Sequence, residues 1–390
     1  VRHKHVFTTH TPVPAGNEVF DTTMVRPFLD TTAADLDCSV DELLELGKAE
    51  TDDRPGFNLT ALALRTSCRA NGVSQLHAEI SRDMWPSYAI DGVTNGVHVP
   101  SWLGPEMCKV LRVAPLACPH ELAERAAELP DATLWAAHTA QKHRLMRFIR
   151  VRALTQAARH GRSTQELRRV QELLDSSALT LGFARRFAPY KRADLMFHDA
   201  ERLERLLCST DRPVQLVMAG KAHPADRAGQ DIIKKVWSMA GDKLRGRIVF
   251  VEDYDIGVAR LMVRGVDVWL NTPEWPREAS GTSGMKAAMN GVLHASVPDG
   301  WWAEAEREGG GFTLGEGVLP DLERDAELLY AMLENEIVPL FYDRPADGLP
   351  AGWIAAMRHA MQHSLGRFST RRMLEDYGKL VYSDKQPAQA

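Results

Sequence analysis

A regular alternation of apolar runs and helical segments in the second half of the chain constrains the fold more than any other feature. The runs with strand character are residues 178–183, 214–218, 247–251, 266–270 and 292–296. Segments with helical spacing lie between them, as at residues 230–239 and 256–263. Strands that alternate with helices form parallel sheets, and continuous apolar runs are typical of strands covered on both faces. We therefore predict an α/β fold whose regular domain is a doubly wound parallel sheet.

The first part of the chain is less regular. Residues 6–9 indicate a strand that leads into a loop rich in Pro and Gly, and residues 57–70 have helical spacing. Residues 91–100 indicate a short strand broken by an Asn-Gly turn. This mixture predicts a second α/β unit that is smaller or less complete than the regular domain.

Helices join the two units in this interpretation. We expect Asp131 to cap a long helix that Gly161 ends, and Ser163 with Glu166 to form the capping box of the next helix. The predicted divisions are an α/β unit at 1–120, connecting helices at 121–176, the regular domain at 177–350 and C-terminal helices at 351–390.

Charge and cysteine content narrow the class of protein. The formal net charge of −5 argues against nucleic-acid or membrane-surface binding, since both favour a basic face. The five cysteines share no close spacing, which favours reduced thiols in a cytoplasmic protein over disulfides or a zinc site. His3 and His5 have no convincing further ligands, so we predict no metal site.

Charged side chains follow several of the predicted strands. Arg185, Arg186 and Lys191 follow the first strand of the regular domain, Lys221 follows the second, and residues 252–255 follow the third. In an open α/β sheet, ligands bind outside the carboxyl ends of the strands. Cations on two loops at one edge therefore predict a site for one or two phosphate groups.

A glycine-rich loop at residues 274–291 follows the fourth strand and leads into a helix. The start of a helix presents main-chain N–H groups to an anion. Glu278 and Lys286 lie eight positions apart in this loop, with small hydroxyl residues between them. The loop therefore predicts a site that holds both a sugar and a phosphate.

Familiar nucleotide and hydrolase motifs are missing from the sequence. Lys221 and Lys286 lack the spacing of a Walker A lysine, and no Gly-x-Gly-x-x-Gly follows the first strand of the regular domain. No Gly-x-Ser-x-Gly elbow is present either. The residues alone thus indicate an anion-binding, transferase-like site between two α/β units.

The loop Glu278-Ala-Ser-Gly-Thr-Ser-Gly-Met-Lys286, followed by Asn290-Gly291, closely resembles the pyridoxal-phosphate loop of the α-glucan (glycogen, starch, maltodextrin) phosphorylases. Other segments resemble motifs of that family in the same order along the chain. They are the histidine loop at 9–16, the helix at 58–77, the asparagine segment at 94–97, the basic segment at 185–192 and the acidic strand end at 252–254.

The resemblance implies two Rossmann-like domains of the GT-B glycosyltransferase type, the first incomplete here, and reversible phosphorolysis of a terminal α-1,4 link. The partners would be an α-1,4-glucan, inorganic phosphate and glucose 1-phosphate. Lys286 would carry pyridoxal 5′-phosphate as a Schiff base, and the cofactor phosphate would act as a proton shuttle. Thr282 and Ser283 would cradle that phosphate, with Arg185 and Tyr254 nearby. A homo-oligomer and allosteric control would also be compatible with the family.

The substrate roles implied by the resemblance fall on other residues. Arg186 and Lys191 would bind inorganic phosphate or the phosphate of glucose 1-phosphate. The residues implied to hold glucose hydroxyls are Asn95, Glu278, Ser280 and Gly281. The main-chain carbonyl of His10 would face the anomeric carbon, where positive charge develops.

The chain departs from the animal and plant members of the family. Ser283 replaces a glycine and Arg185 replaces a lysine, and both changes fit the short bacterial branch. Family members also carry a long N-terminal region before the histidine loop. We therefore expect the chain to be an N-terminally incomplete fragment that turns over poorly.

Two other functions stay open at this point. A nucleotide-sugar glucosyltransferase of the glycogen or starch synthase type shares the architecture and a cationic edge, but it has no need of Lys286. A non-catalytic glucan-binding remnant is the other alternative. The residues whose retention argues against it are Lys286, Arg186, Lys191 and Glu278.

Overall fold

The computed structural model describes residues 5–13, 16–49, 55–114, 117–170, 173–239, 244, 246–305, 310–345 and 348–382. The strands are β1 Val6–Thr8, β2 Val19–Phe20, β3 Phe57–Asn58, β4 Arg69–Gly72, β5 Ile90–Gly92, β6 Leu179–Arg186, β7 Val214–Lys221, β8 Ile248–Val251, β9 Val268–Asn271, β10 Leu293–Ser296 and β11 Phe312–Thr313.

The helices of the first half are α1 Thr22–Leu36, α2 Val40–Glu45, α3 Leu59–Thr66, α4 Gln75–Met84, α5 Val99–Trp102, α6 Pro105–Val110, α7 Pro119–Ala127, α8 Asp131–Arg159 and α9 Thr164–Val170. Those of the second half are α10 Ala200–Leu207, α11 Arg227–Met239, α12 Ile256–Gly265, α13 Ser283–Ala288, α14 Trp302–Ala305, α15 Leu322–Met332, α16 Val338–Tyr342, α17 Ala351–Arg367 and α18 Thr370–Asp376. Among these helices, none combines the length and the apolar character that crossing a membrane requires.

The larger sheet has six parallel strands in the order β11-β10-β9-β6-β7-β8. The chain runs outward from β6 to β8, returns to place β9 beside β6, and then runs outward on the other side. The direction of winding thus reverses between β6 and β9, which is the switch point where doubly wound sheets bind ligands.

Both faces of this sheet are covered. Successive side chains of a strand point to opposite faces. In β7, Leu216 and Met218 belong to one hydrophobic core, whereas Val217 and Ala219 belong to another. The α/β class and the doubly wound parallel sheet are therefore confirmed.

A smaller parallel sheet, β1-β4-β5, lies in the first half of the chain, with β2 and β3 paired antiparallel beside it. A separate small core that includes Leu64, Trp85 and Ile90 packs against it. The predicted divisions at residues 120, 176 and 350 stay predictions.

Two local predictions in the first half are wrong. The helix predicted to reach Ala70 ends at Thr66, because residues 69–72 pair with β1 and β5 as the central strand β4. Residues 91–100 do not form a strand broken by a turn at Asn95-Gly96, since β5 ends at Gly92 and α5 begins at Val99. Instead Val97 bridges Ser369 in parallel, and its N–H donates to the Phe368 carbonyl at 2.8 Å.

The ends of the connecting helices are partly as predicted. Pro130, not Asp131, is the N-cap of α8, and its carbonyl accepts the first main-chain bonds while the Asp131 carboxylate pairs with Arg358. Gly161 lies just past the helix with φ at +66°, as expected for a C-terminal glycine. Ser163 and Glu166 form the predicted capping box, with Glu166 accepting the Ser163 N–H at 2.9 Å.

A buried ionic network joins α8 to the amino-terminal ends of β6 and β9. Lys142 Nζ lies 2.5 Å from Asp267 Oδ2 and His138 Nε2 lies 2.8 Å from Asp267 Oδ1, with all three side chains almost fully enclosed. The Thr180 N–H also donates to Asp267 at 2.7 Å. This network fixes the side of the sheet opposite to the ligand edge.

Candidate active site

The predicted charged residues lie at the carboxyl ends of β6 and β9, on either side of the switch point. Arg185 and Arg186 are the last residues of β6, and Asn271 is the last residue of β9. The glycine-rich loop follows β9 and leads into α13. The topology of the sheet therefore places the two segments next to each other.

Glu278 forms the centre of an ionic cluster at this edge. Both of its carboxylate oxygens lie 2.9 Å from Lys191 Nζ, and one of them also accepts from the Arg185 guanidinium. Arg185 donates to Asn271 as well. Burial alone would raise the pKa of Glu278, but the two cations outweigh it and lower the pKa to about 2. Glu278 is therefore ionised throughout the physiological range.

Asp299 supports the main chain of Glu278 from the neighbouring loop after β10. Its carboxylate accepts the N–H of Glu278 at 2.9 Å and the N–H of Gly300 at 2.8 Å. Asp299 is 1% exposed, and this burial raises its pKa to about 7 against those two hydrogen bonds. Asp299 is not among the residues predicted from the sequence, although its position just after β10, at the same edge of the sheet, is a signal that points to it.

Hydrogen bonds fix the main chain of Ala279 and Ser280, but the Ser280 hydroxyl makes no hydrogen bond within the described residues. The Ala279 carbonyl accepts from Ser74 Oγ at 2.7 Å, and the Ser280 carbonyl accepts the Trp301 N–H at 2.8 Å. Ser280 Oγ is buried and has no hydrogen-bond partner among the described residues. Gly281 has φ at +69°, a conformation that glycine adopts without strain.

Lys286 lies on α13 and packs against an aromatic ring. Its Nζ is 4.0 Å from the centroid of the Trp102 ring, and burial lowers the pKa of its ammonium group. Asn290 holds the two segments together, because it accepts the Gly104 N–H at 2.7 Å and donates to the Trp102 carbonyl at 3.0 Å. Sequence reasoning missed Trp102, which lies 184 positions from Lys286 in the chain.

The short helix α13 begins at Ser283, and hydrogen bonds to β9 and α17 hold it in place. Thr282 is the N-cap of the six-residue α13 and makes no side-chain capping bond. Ser283 Oγ accepts from Trp269 Nε1 at 3.1 Å, and the Met285 carbonyl accepts from Ser364 Oγ of α17 at 2.7 Å. These contacts fix the orientation of α13 relative to β9.

Arg186 differs from Arg185 in its surroundings. It is exposed, and it lies in register with the exposed Lys221 at the end of β7. No ion pair involves its guanidinium among the described residues. Tyr254, which follows β8, is half-buried, and burial raises its pKa while the nearby Arg185 acts in the opposite direction.

His10 and Asn95 lie in the first half of the chain. His10 is exposed after β1 and lies near His77, whose pKa is lowered to about 4, chiefly by burial. Asn95 is half-buried, and its main chain bonds to the Val73 carbonyl at 3.0 Å and to Arg372 at 3.1 Å. No described contact joins either residue to the Glu278 cluster. His3 and residues 14–15 of the predicted loop lie outside the described residues.

Comparison with known proteins agrees with this arrangement. A profile of the family described as carbohydrate phosphorylase matches residues 22–311. The chain belongs to this family. Its assignment there rests on most of the chain, including the loop at 278–286 and the basic segment at 185–192.

Several curated members of the phosphorylase family are similar to the chain over 98% of its length. They are a glycogen phosphorylase of Aquifex aeolicus at 42% identity, a maltodextrin phosphorylase of Thermococcus litoralis at 40% and a glycogen phosphorylase of Mycobacterium tuberculosis at 38%. The matches cover 58%, 47% and 47% of those proteins, respectively. The chain thus spans about half the length of the curated relatives it matches.

Proposed function

We propose that this chain carries the ligand edge of an α-1,4-glucan phosphorylase, which reversibly transfers a terminal glucosyl unit to inorganic phosphate and yields glucose 1-phosphate. The observation that carries the proposal is the loop at 278–286. Within nine residues it presents an ionised buried carboxylate, a buried hydroxyl that has no partner among the described residues, and a lysine shielded by an indole ring. These groups lie at the switch point, beside several cations.

The residues around Lys286 fit pyridoxal phosphate. An amine condenses with an aldehyde through its uncharged form, and the burial of Lys286 favours that form. Thr282 and Ser283 offer hydroxyl groups and main-chain N–H groups to the cofactor phosphate, and Arg185, which lies near Tyr254, is the cation that we expect to complete this cradle. When bound, the cofactor would supply a phosphate group able to exchange a proton with the substrate phosphate.

Arg186 is the residue that we expect to reach inorganic phosphate first. Its guanidinium is exposed, can bind two phosphate oxygens at once, and has Lys221 beside it. Lys191 is also a predicted phosphate ligand, but here it is paired with Glu278. Phosphate would therefore share Lys191 with the carboxylate.

Glu278 and Ser280 are suited to hold sugar hydroxyls. A carboxylate that stays ionised accepts hydrogen bonds from hydroxyl groups, and Ser280 Oγ can both donate and accept. Asn95 and the main-chain carbonyl of His10 would complete the sugar site from the first half of the chain. In phosphorolysis the glucosyl C1–O bond breaks, a new bond from C1 to a phosphate oxygen forms, and the departing glucan hydroxyl gains a proton.

Covalent trapping of the cofactor tests this proposal. The purified protein is incubated with pyridoxal phosphate, reduced with borohydride and digested for peptide mapping by mass spectrometry. We expect the pyridoxyl group on Lys286 and none on the Lys286→Arg variant. Absence of the label from Lys286 in the wild-type protein would contradict the proposal.

Activity assays separate the alternatives. Formation of glucose 1-phosphate from maltodextrin and phosphate supports the phosphorylase. Phosphate-independent transfer from a nucleoside diphosphate glucose would instead support a nucleotide-sugar glucosyltransferase. Glucan binding with neither transfer nor a pyridoxyl label on Lys286 would support the non-catalytic remnant. A cytoplasmic location, inferred from the cysteines, and a homo-oligomeric state, compatible with the resemblance, stay predictions, and size-exclusion chromatography tests the second.

A further inference from the structure

We propose that Asp299 and Ser74 are positioning residues that clamp the main chain of residues 278–280, so that Glu278 and Ser280 are presented to the sugar. The inference rests on the proposed function, because it concerns the sugar half of that site. Asp299 lies outside the segments through which the chain resembles the phosphorylases, and no role follows from the resemblance for Ser74.

The first arm of the clamp comes from the same domain as the loop. Asp299 accepts the Glu278 N–H at 2.9 Å through Oδ2 and the Gly300 N–H at 2.8 Å through Oδ1. A hydrogen bond to an ionised acceptor is about twice as strong as a neutral one. The next residue of this segment, Gly300, lies against the Ser280 carbonyl, where a Cβ would approach within 2.3 Å of the oxygen. The segment at 299–300 therefore holds the loop main chain from Glu278 to Ser280.

The second arm comes from the first half of the chain. Ser74 is buried, and its Oγ donates to the Ala279 carbonyl at 2.7 Å while accepting the His77 N–H at 3.1 Å. The hydroxyl thus caps α4 and holds the loop at the same time. Asp299 and Ser74 bind the main chain of two adjacent residues, Glu278 and Ala279, so the direction of the Glu278 and Ser280 side chains is fixed by both halves of the chain.

The side chains of Glu278 and Ser280, whose main chain the clamp holds, have the chemistry of a sugar site. Ser280 Oγ is buried and lacks a hydrogen-bond partner among the described residues, which is a costly arrangement unless a ligand completes it. Glu278 has acceptor capacity beyond its bonds to Arg185 and Lys191. A pyranose with several hydroxyl groups is therefore the ligand class that the fixed loop suits.

Protonation of Asp299 should weaken its hydrogen bonds to the Glu278 and Gly300 N–H groups. The charged groups that face Asp299 are Glu278 and Lys191. The pKa of Asp299 is raised to about 7, so the carboxylate that accepts both N–H groups is lost progressively below neutral pH. Glu278, with its pKa at about 2, keeps its charge over that range.

Hydrogen exchange tests the clamp without any ligand. In Asp299→Asn one of the two main-chain donors meets an amide nitrogen, so we expect the Glu278 and Gly300 N–H groups to exchange roughly tenfold faster or more. Asp321→Asn is the matched control, because Asp321 also accepts a main-chain N–H, that of Arg324 at 2.8 Å, but caps α15 on the surface. Unchanged exchange at residues 278–281 in Asp299→Asn would overturn the proposal.

Calorimetry with D-glucose, which does not titrate near neutral pH, tests the link to the sugar. We expect roughly tenfold weaker glucose binding in Asp299→Asn and in Ser74→Ala, with phosphate affinity unchanged within about twofold. Ser74→Thr keeps the hydroxyl and should restore binding. Ser81→Ala should have no effect, because it removes from the same helix a buried hydroxyl that makes no hydrogen bond within the described part of the chain.

The pH profile distinguishes positioning from a merely structural role. Wild-type affinity for glucose should fall as the pH drops below about 7, whereas that of Asp299→Asn should be flat. Equal glucose affinity in the wild type, Asp299→Asn and Ser74→Ala would overturn the proposal. Failure of the wild-type protein to bind glucose would count against the proposed function, while hydrogen exchange would still decide whether the clamp exists.

Discussion

Glu278→Gln should lower the free energy of unfolding, because it removes the buried carboxylate that pairs with Arg185 and Lys191. Glutamine mimics the protonated carboxyl and leaves Arg185 and Lys191 enclosed without a counter-charge. The pKa of Glu278 falls from 4.5 to about 2 on folding. Since one pKa unit is worth about 1.4 kcal/mol, the ionised form contributes about 3 kcal/mol to the free energy of unfolding at neutral pH.

The pH dependence of this contribution has a definite sign. The folded-state pKa is lowered, so the stabilisation is fully present above pH 4.5 and is lost as the pH falls towards 2. Urea unfolding followed by tryptophan fluorescence should therefore show a gap of about 3 kcal/mol at neutral pH that narrows in acid. Glu274→Gln is the matched control from the same loop. Its exposed pair with Arg277 should contribute less than about 1 kcal/mol.

Phosphate provides a second arm of the same experiment. In Glu278→Gln, an added phosphate ion can neutralise Arg185 and Lys191, so it should raise the melting temperature of the variant more than that of the wild type. If Glu278→Gln unfolds within about 1 kcal/mol of the wild type at neutral pH, the ionic cluster does not stabilise the fold as argued. Equal responses of the two proteins to phosphate would refute the competition between Glu278 and the anion.

Three further changes have expected outcomes. Lys142→Met leaves the fully buried carboxylate of Asp267 without its main counter-charge and should cost about 3–5 kcal/mol in urea unfolding. Gly284→Ala places a methyl group 2.6 Å from a buried ring carbon and should cost about 1–3 kcal/mol by the same measurement. Trp102→Ala removes the ring that shields Lys286, so the lysine pKa should rise, and competitive acetylation across a pH series should find its amine reacting only at higher pH.

The central part of the fold could be predicted because its strands are long apolar runs covered on both faces. β6 to β10 all lie where those runs occur, whereas β11 has only two half-buried residues and leaves no run to detect. The predicted helix wrongly includes Arg69 and Ala70, because the strand character of β4 comes from pairing with β1 and β5, which are distant in sequence. Tertiary pairing of this kind overrides local propensity.

The position of the candidate site followed from chain topology, but its internal pairing did not. The sequence places Arg185, Lys191 and Glu278 at one sheet edge, because each follows a parallel strand. It does not indicate that Glu278 neutralises both cations, since that depends on how the loop folds back across the edge. The contact of Trp102 with Lys286 likewise joins segments with no shared local pattern.

The pairing divides the cations of this edge into two groups with different availability. Arg185 and Lys191 are largely enclosed and share one carboxylate, so an anion that binds them must compete with Glu278. Arg186 and Lys221 are exposed, in register, and carry no such partner among the described residues. An approaching phosphate should therefore be attracted first to Arg186 and Lys221, and should engage Lys191 more readily when Glu278 also accepts a hydrogen bond from another partner. A sugar hydroxyl is a suitable partner, so occupancy of the sugar site should strengthen phosphate binding, and a phosphate titration with and without glucose measures that coupling directly.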